Sequence, residues 1–152
     1  GHGTIINIGS IGGIIGLPYQ GLYSATKFAL HGMTEALRME IKALGLDIHV
    51  VLVAPGDIHT DFPANRQTTR ATKQNSAYAA HHQRVRAAIE ADELNGAKPS
   101  RVAQVVGQII RDPSPKARYL VGGFDEKLAA HLKPILPARL FDWIVMREYD
   151  MG

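Results

Sequence analysis

Ser10, Tyr23 and Lys27 are the residues of this chain whose types and spacing could move a proton. Tyr23 and Lys27 stand four positions apart. On a helix that spacing puts them one turn apart on the same face. A phenol ordinarily ionises near pH ~10, too high for ready proton exchange at neutral pH. A lysine cation one turn away favours the phenolate. Ser10 arrives from a separate segment and could donate a hydrogen bond to a substrate oxygen. A hydroxyl, a phenol and an amine brought together make a proton-transfer site.

A Tyr-x-x-x-Lys pair by itself is more often a surface helix contact, so the flanking elements decide its meaning. Residues 4–9 (TIINIG) form a short apolar, β-branched run without clean alternation, which predicts a strand buried on both faces of a parallel sheet. A glycine-rich loop with Pro18 covers 11–22, and Gly12 and Gly13 are expected to make a tight turn there. Apolar residues at Ala25, Ala29, Met33, Ala36, Leu37, Ile41 and Leu44 then predict a helix over 24–44, stopped by Gly45. A second buried strand follows at 48–54 (IHVVLVA). Strand, helix, strand is a βαβ unit with parallel strands. Ser10 and Pro55 both fall just past the C-terminal ends of their strands, the side on which open α/β sheets bind ligands. Two motifs far apart in sequence therefore converge on one crevice.

These residues carry a resemblance. Asn7-Ile8-Gly9-Ser10, Pro18, Tyr23-Ser24-Ala25-Thr26-Lys27 and Pro55-Gly56-Asp57-Ile58-His59-Thr60 resemble the motifs of the classical short-chain dehydrogenase/reductase family, nearest its hydroxysteroid and retinol dehydrogenase branch. Thr26 stands where a serine is more usual. The resemblance implies an α/β, Rossmann-like doubly wound parallel sheet, of which this chain matches only the second half. It implies an oxidoreductase interconverting a ketone and a secondary alcohol with NAD or NADP. Ser10 would polarise the substrate oxygen and Tyr23 would be the general acid or base. Lys27 would tune Tyr23 and bind the nicotinamide ribose. Pro55, Gly56, Ile58 and Thr60 would pack on the nicotinamide. Ile14, Tyr19 and Phe62 are candidate pocket residues by position, for a lipophilic substrate. The helix over 23–44 would carry a homo-oligomer interface, a dimer or a tetramer. The family's catalytic asparagine and its pyrophosphate-binding glycine turn lie upstream of the matched segment. The chain alone is therefore expected to be inactive, with an open strand edge and a bare apolar face. A non-catalytic binding or oligomerisation module is the alternative.

Beyond the 55–60 turn the pattern weakens. Residues 63–76 are polar and 78–94 read as an amphipathic helix, so 57–98 is expected to form a substrate loop or lid over the crevice. Ser100 is expected to cap a helix striped by Val102, Val105, Val106, Ile109 and Ile110, ending at Asp112-Pro113. Residues 118–121 (RYLV) read as a strand. The tail around Trp143 is expected to pack on the body of a single domain covering 1–152.

Other side chains invite bland readings. His59 and Asp61 lack a third ligand in register, so no metal site is expected. His81, His82 and His131 fit solvated helix faces. The amide of Asn7, on a buried strand, is expected to satisfy nearby backbone. A net charge of +3 from 17 basic and 14 acidic residues is small and scattered, which argues against a nucleic-acid partner. The absence of cysteine in 152 residues suits a reducing cytoplasm, the expected location. No transmembrane segment or secretory leader is expected.

Overall fold

A computed structural model describes residues 2–67 and 76–151. Its centre is a three-stranded parallel sheet of β1 (His2–Ile8), β2 (Asp47–Pro55) and β3 (Arg118–Val121), in that order. The register pairs Ile8 with Val53 and Pro55 with Val121, so all three strands end on one side. The central strand explains the unbroken apolar run of the sequence, because both its faces are covered. Val51 and Val53 pack with Ile109 and Val121 on one face. The alternate residues Val50, Leu52 and Ala54 are buried on the other.

Helices lie on both faces. Helix α1 (Gly21–Ala43) covers the side of Leu52, and α3 (Pro99–Arg111) covers the side of Val53. Between them in sequence comes α2 (Ser76–Asn95). Helices α4 (Phe124–Leu132) and α5 (Ala138–Glu148) follow β3. Phe141 of α5 and Ala130 of α4 are buried with Ile11 and Ile15 of the loop after β1. The tail thus packs on the body as expected, and it braces the loop that carries Ser10. Leu140, Trp143 and Ile144 remain exposed on the far side of α5.

Helix α1 ends where the sequence indicates, with Gly45 at φ 65° in the left-handed region that glycine tolerates best. Other local expectations need correction. Ser100 is not the cap of α3. Lys98 occupies that position and Pro99 opens the helix, where its fixed φ suits the first turn. Asn7 does not satisfy backbone: its Nδ2 donates to Thr34 Oγ1 of α1 at 2.9 Å. That bond ties the helix to the edge strand. Gly12 and Gly13 do lie in the expected tight turn, a 3-10 turn over Ile11–Gly13, but without positive φ. What they supply is space, because a β-carbon on Gly13 would lie 2.7 Å from His31 Nε2 and 2.8 Å from the Lys27 carbonyl.

Strand β1 is an edge among the described residues, with Ile5 and Ile8 38% and 45% exposed. Ile8, Ile58 and Val102 border an apolar cleft of about 490 Å³ on the α3 side. The open edge and bare apolar surface expected from the sequence are both present. No helix among the described residues is long and apolar enough to cross a membrane.

Candidate active site

Three elements bring Ser10, Tyr23 and Lys27 together. Ser10 sits one residue beyond Gly9, which extends the β1 ladder by donating to the Val53 carbonyl at 2.7 Å. A short 3-10 turn over Ile11–Gly13 follows, and its Gly12 N–H donates to Ser10 Oγ at 3.0 Å. The serine oxygen is thereby aimed while its own proton stays available for donation. Helix α1 runs back beneath this turn and presents Tyr23 from its first turn and Lys27 one turn on. A β-carbon placed on Gly12 would lie 3.1 Å from Tyr23 Cε1 and 3.4 Å from Ser10 Oγ. Ring and hydroxyl therefore flank the same glycine. Lys27 Nζ lies 5.8 Å from the Tyr23 ring centroid and donates to the Gly9 carbonyl at 3.2 Å. Sequence spacing and structure agree on this cluster.

His31, two turns along α1 from Tyr23, was not singled out by the sequence reading. It is 7% exposed, and its Nε2 faces the Ser10 N–H at 3.5 Å, a long hydrogen bond in which the ring nitrogen accepts. Burial holds its pKa below the ordinary imidazole value; the charges of Arg118 and Lys27 act in the same direction and Glu35 opposes them. A neutral ring suits an acceptor. The signal that could have found it is its place four residues after Lys27, on the sheet-facing side of α1.

The 55–60 turn leaves β2 on the same side of the sheet as Ser10. Ile58 forms an isolated parallel bridge with Ala97, in which Ala97 N–H donates to the Asp57 carbonyl at 2.9 Å and His59 N–H to the Ala97 carbonyl at 3.0 Å. That pairing leaves the Ile58 N–H unused by the bridge. The His59 ring is occupied by the Leu94 carbonyl, 2.5 Å from Nδ1. Asp57 N–H donates to Glu126 Oε1 at 2.5 Å. Burial pushes the Asp57 carboxyl up to about 7, helped by the nearby charges of Glu126, Asp92, Glu93 and Asp125. Neither Asp57 nor Glu126 stood out in the sequence.

The proposed pocket residues divide. Phe62 lies beside Tyr23, ring centroids 6.1 Å apart, with the Arg66 guanidinium 5.3 Å from the Phe62 centroid. Arg66 is itself held by Glu93 at 2.6 Å. Tyr19 meets Tyr78 edge-on at 4.9 Å and His82 at 6.0 Å, so His82 is more than a solvated face. Tyr19 also has φ 58°, an uncommon conformation for a residue with a side chain, of the kind that clusters at functional sites. Ile14 packs instead against the core of Ile11, Ile15 and Phe141. Part of the expected lid, residues 68–75, lies outside the described residues.

A parallel sheet covered by helices on both faces, with polar residues gathered at the strand ends, is a Rossmann-like α/β arrangement. Known proteins agree. Residues 1–71 match the family described as short chain dehydrogenase. A 3-ketodihydrosphingosine reductase of Bacteroides thetaiotaomicron is 41% identical over 148 residues, covering 97% of this chain and 54% of the relative. Human 17-beta-hydroxysteroid dehydrogenase type 1 is 30% identical, covering 93% of this chain and 42% of the relative. Among solved structures, a short-chain dehydrogenase from Streptomyces avermitilis superimposes with TM-score 0.63 at 26% identity over 92% of this chain and 49% of its own. A short-chain dehydrogenase/reductase from Burkholderia phymatum, solved in complex with NAD, shares the fold at TM-score 0.62 and 21% identity, covering 79% of this chain and 43% of its own. The chain belongs to the short-chain dehydrogenase/reductase family. It spans about half the length of the curated relatives it matches.

Proposed function

We propose that this chain is the proton-transferring half of an oxidoreductase that interconverts a ketone and a secondary alcohol with NAD or NADP. The observation that carries the reading is the Tyr23 ring and the Ser10 hydroxyl flanking Gly12, with the Lys27 ammonium beside the ring. The nicotinamide, when bound, supplies or takes up the hydride. The chain's own residues manage the oxygen. Ser10 donates to it and polarises the carbonyl, and Tyr23 gives the proton during reduction or takes it during oxidation. Lys27, whose ammonium lies beside the Tyr23 ring and donates to the Gly9 carbonyl, would hold the ribose hydroxyls. The residues present fit the nicotinamide end of a dinucleotide, because the 55–60 turn at the C-terminal end of β2 keeps an Ile58 N–H that the Ala97 bridge does not use. The pyrophosphate end is different, since the 152 residues contain no G-x-G-x-x-G turn. A further nucleotide-binding half supplies it in this reading.

The described residues 57–67 and 76–98 belong to the substrate lid in this reading, closed at its base by the bridge between Ile58 and Ala97. Phe62, Tyr19 and Tyr78 give it an aromatic lining. Together with relatives named for a sphingoid ketone and a hydroxysteroid, that lining supports a lipophilic carbonyl or alcohol as substrate. The test is a version of the chain extended at its N-terminus by a nucleotide-binding half. There Tyr23→Phe lowers turnover by about 10²–10⁴-fold while the melting temperature and dinucleotide affinity stay close to those of the parent. Near-normal turnover in that variant defeats the reading.

One observation favours a second role. Leu22, Phe28, Met33 and Met39 are exposed on the side of α1 turned away from the sheet. A second copy packing on that side would make a homo-oligomer, and such a module could associate without cofactor. If neither this chain nor its extended version binds NADH or NADPH in calorimetry, while both self-associate in sedimentation, the non-catalytic module is the better account.

A further inference from the structure

Glu126 has no part in proton transfer, yet it occupies the junction between two strand ends. One carboxylate oxygen accepts the Asp57 N–H at 2.5 Å, across 69 residues of sequence. The other accepts the Gly123 N–H and so caps the start of α4 from its third residue, since the glycine N-cap has no side chain of its own to give. Capping needs only that second bond. The first reaches out of the helix to the turn after β2. Gly56 and Gly122 are bare where the carboxylate passes, and a β-carbon on either would run into it. The turn is thus gripped from two sides, by Ala97 at Ile58 and by Glu126 at Asp57. The grip also holds against repulsion, since the Asp57 carboxyl stands in the same neighbourhood. Two backbone N–H groups, each giving a charge-assisted bond, are what offset placing a second acid there.

We infer that Glu126 is a positioning residue for the cofactor: its carboxylate fixes the 55–60 turn in the shape that receives the nicotinamide end of the dinucleotide. This inference rests on the proposed function. It makes dinucleotide affinity depend on a residue of α4 that touches neither dinucleotide nor substrate. In Glu126→Gln the single carbonyl oxygen can keep one bond, while the amide NH₂ faces the other backbone N–H and cannot accept from it.

The experiment uses the N-terminally extended version with NADH and NADPH as probes. Glu126→Gln is expected to weaken dinucleotide binding about tenfold, the size of one lost charge-assisted bond. Turnover at saturating dinucleotide stays within about twofold, and Glu126→Asp, which keeps two acceptors on a shorter stem, recovers part of the affinity. In this chain itself, hydrogen exchange at the Asp57 amide accelerates in Glu126→Gln. Unchanged dinucleotide affinity in Glu126→Gln overturns the inference, as does an equal fall in affinity and turnover that tracks a lowered melting temperature. The Tyr23→Phe control separates the two readings. If it keeps turnover, the proposed function fails, whereas the Asp57 exchange rate still reports whether Glu126 holds the turn.

Discussion

Two turns leave the same side of the sheet and face one crevice, but they are held by different means. The turn after β1 rests on backbone and on a helix that begins only a few residues later. Lys27 reaches the Gly9 carbonyl, His31 faces the Ser10 N–H, and the Lys27 carbonyl closes in on Gly13. The turn after β2 rests on a distant side chain, Glu126, on the isolated bridge to Ala97 and on the Gly56 N–H bond to the Val121 carbonyl at 2.8 Å. The first arrangement keeps Ser10 and Tyr23 in fixed relation, as proton transfer demands. The second adds to its backbone bonds a carboxylate from a distant helix, a contact that can let go. In the proposed function, chemistry would sit on the stiffer turn and ligand capture on the more releasable one.

Alanine at the two glycines exposes that difference. At Gly13 the new methyl meets the backbone carbonyl of Lys27 and the buried His31 ring, neither of which can withdraw. Gly13→Ala is expected to cost about 2–3 kcal/mol, read as a lowered urea midpoint at unchanged m-value. At Gly56 the nearest atoms all belong to the Glu126 carboxyl, the free end of a flexible side chain. Gly56→Ala should therefore cost less, about 1–2 kcal/mol. Adding Glu126→Ala should remove most of the clash and show strong coupling in a double-mutant cycle. Additive costs for Gly56→Ala and Glu126→Ala would mean that the second turn is held as rigidly as the first.

The sequence disclosed the first turn and not the second, for a physical reason. Strand, turn and helix follow one another without a break between His2 and Ala43, so their periodicity and spacing already place Ser10, Tyr23 and Lys27 together. The strand ends, βαβ order and helix stop at Gly45 were legible for the same reason. Contacts between residues far apart in the chain leave no local period. Glu126 lies 69 residues from Asp57 and resembles any acidic residue in a helix's first turn. His31 was missed although local, because a histidine on a helix reads the same whether its ring meets solvent or a notch between Gly9 and Gly13. Ile14, a pocket candidate by position, is partly buried against the cluster of Ile11, Ile15, Ala130 and Phe141, a contact with residues far along the chain that no local pattern signals.

Acid separates the two turns in a second way, with a smaller effect. The fold favours neutral His31, so its pKa lies below that of the unfolded chain. As pH falls through the ordinary imidazole range the unfolded state takes up a proton that the folded state refuses, and stability drops. The contribution is complete above about pH 6.5 and lost below it. Urea midpoints are expected to decline between about pH 7 and 5, and His31→Gln, which cannot titrate, should flatten that decline. An identical slope in the variant would remove His31 as the acid-sensitive group.

The second turn carries the opposite sign. Burial and the neighbouring acids raise the Asp57 pKa from 3.8 to about 7, so the folded state favours the neutral carboxyl. Its contribution is complete below about pH 4 and lost as pH rises through about 7, because ionisation then sets a charge among Glu126, Asp92, Glu93 and Asp125. Asp57→Asn keeps the backbone N–H that Glu126 accepts and removes only the titrating group. The variant should gain about 1 kcal/mol over the parent at pH 8, a figure that allows for solvent screening of a half-buried carboxyl. The gain should shrink towards zero near pH 4, where Asp57 is already neutral. With His31→Gln in the same series, acid should weaken the turn after β1 and base the turn after β2. If both slopes have the same sign, the turns are not independently held, and their separation into a stiff and a releasable element fails.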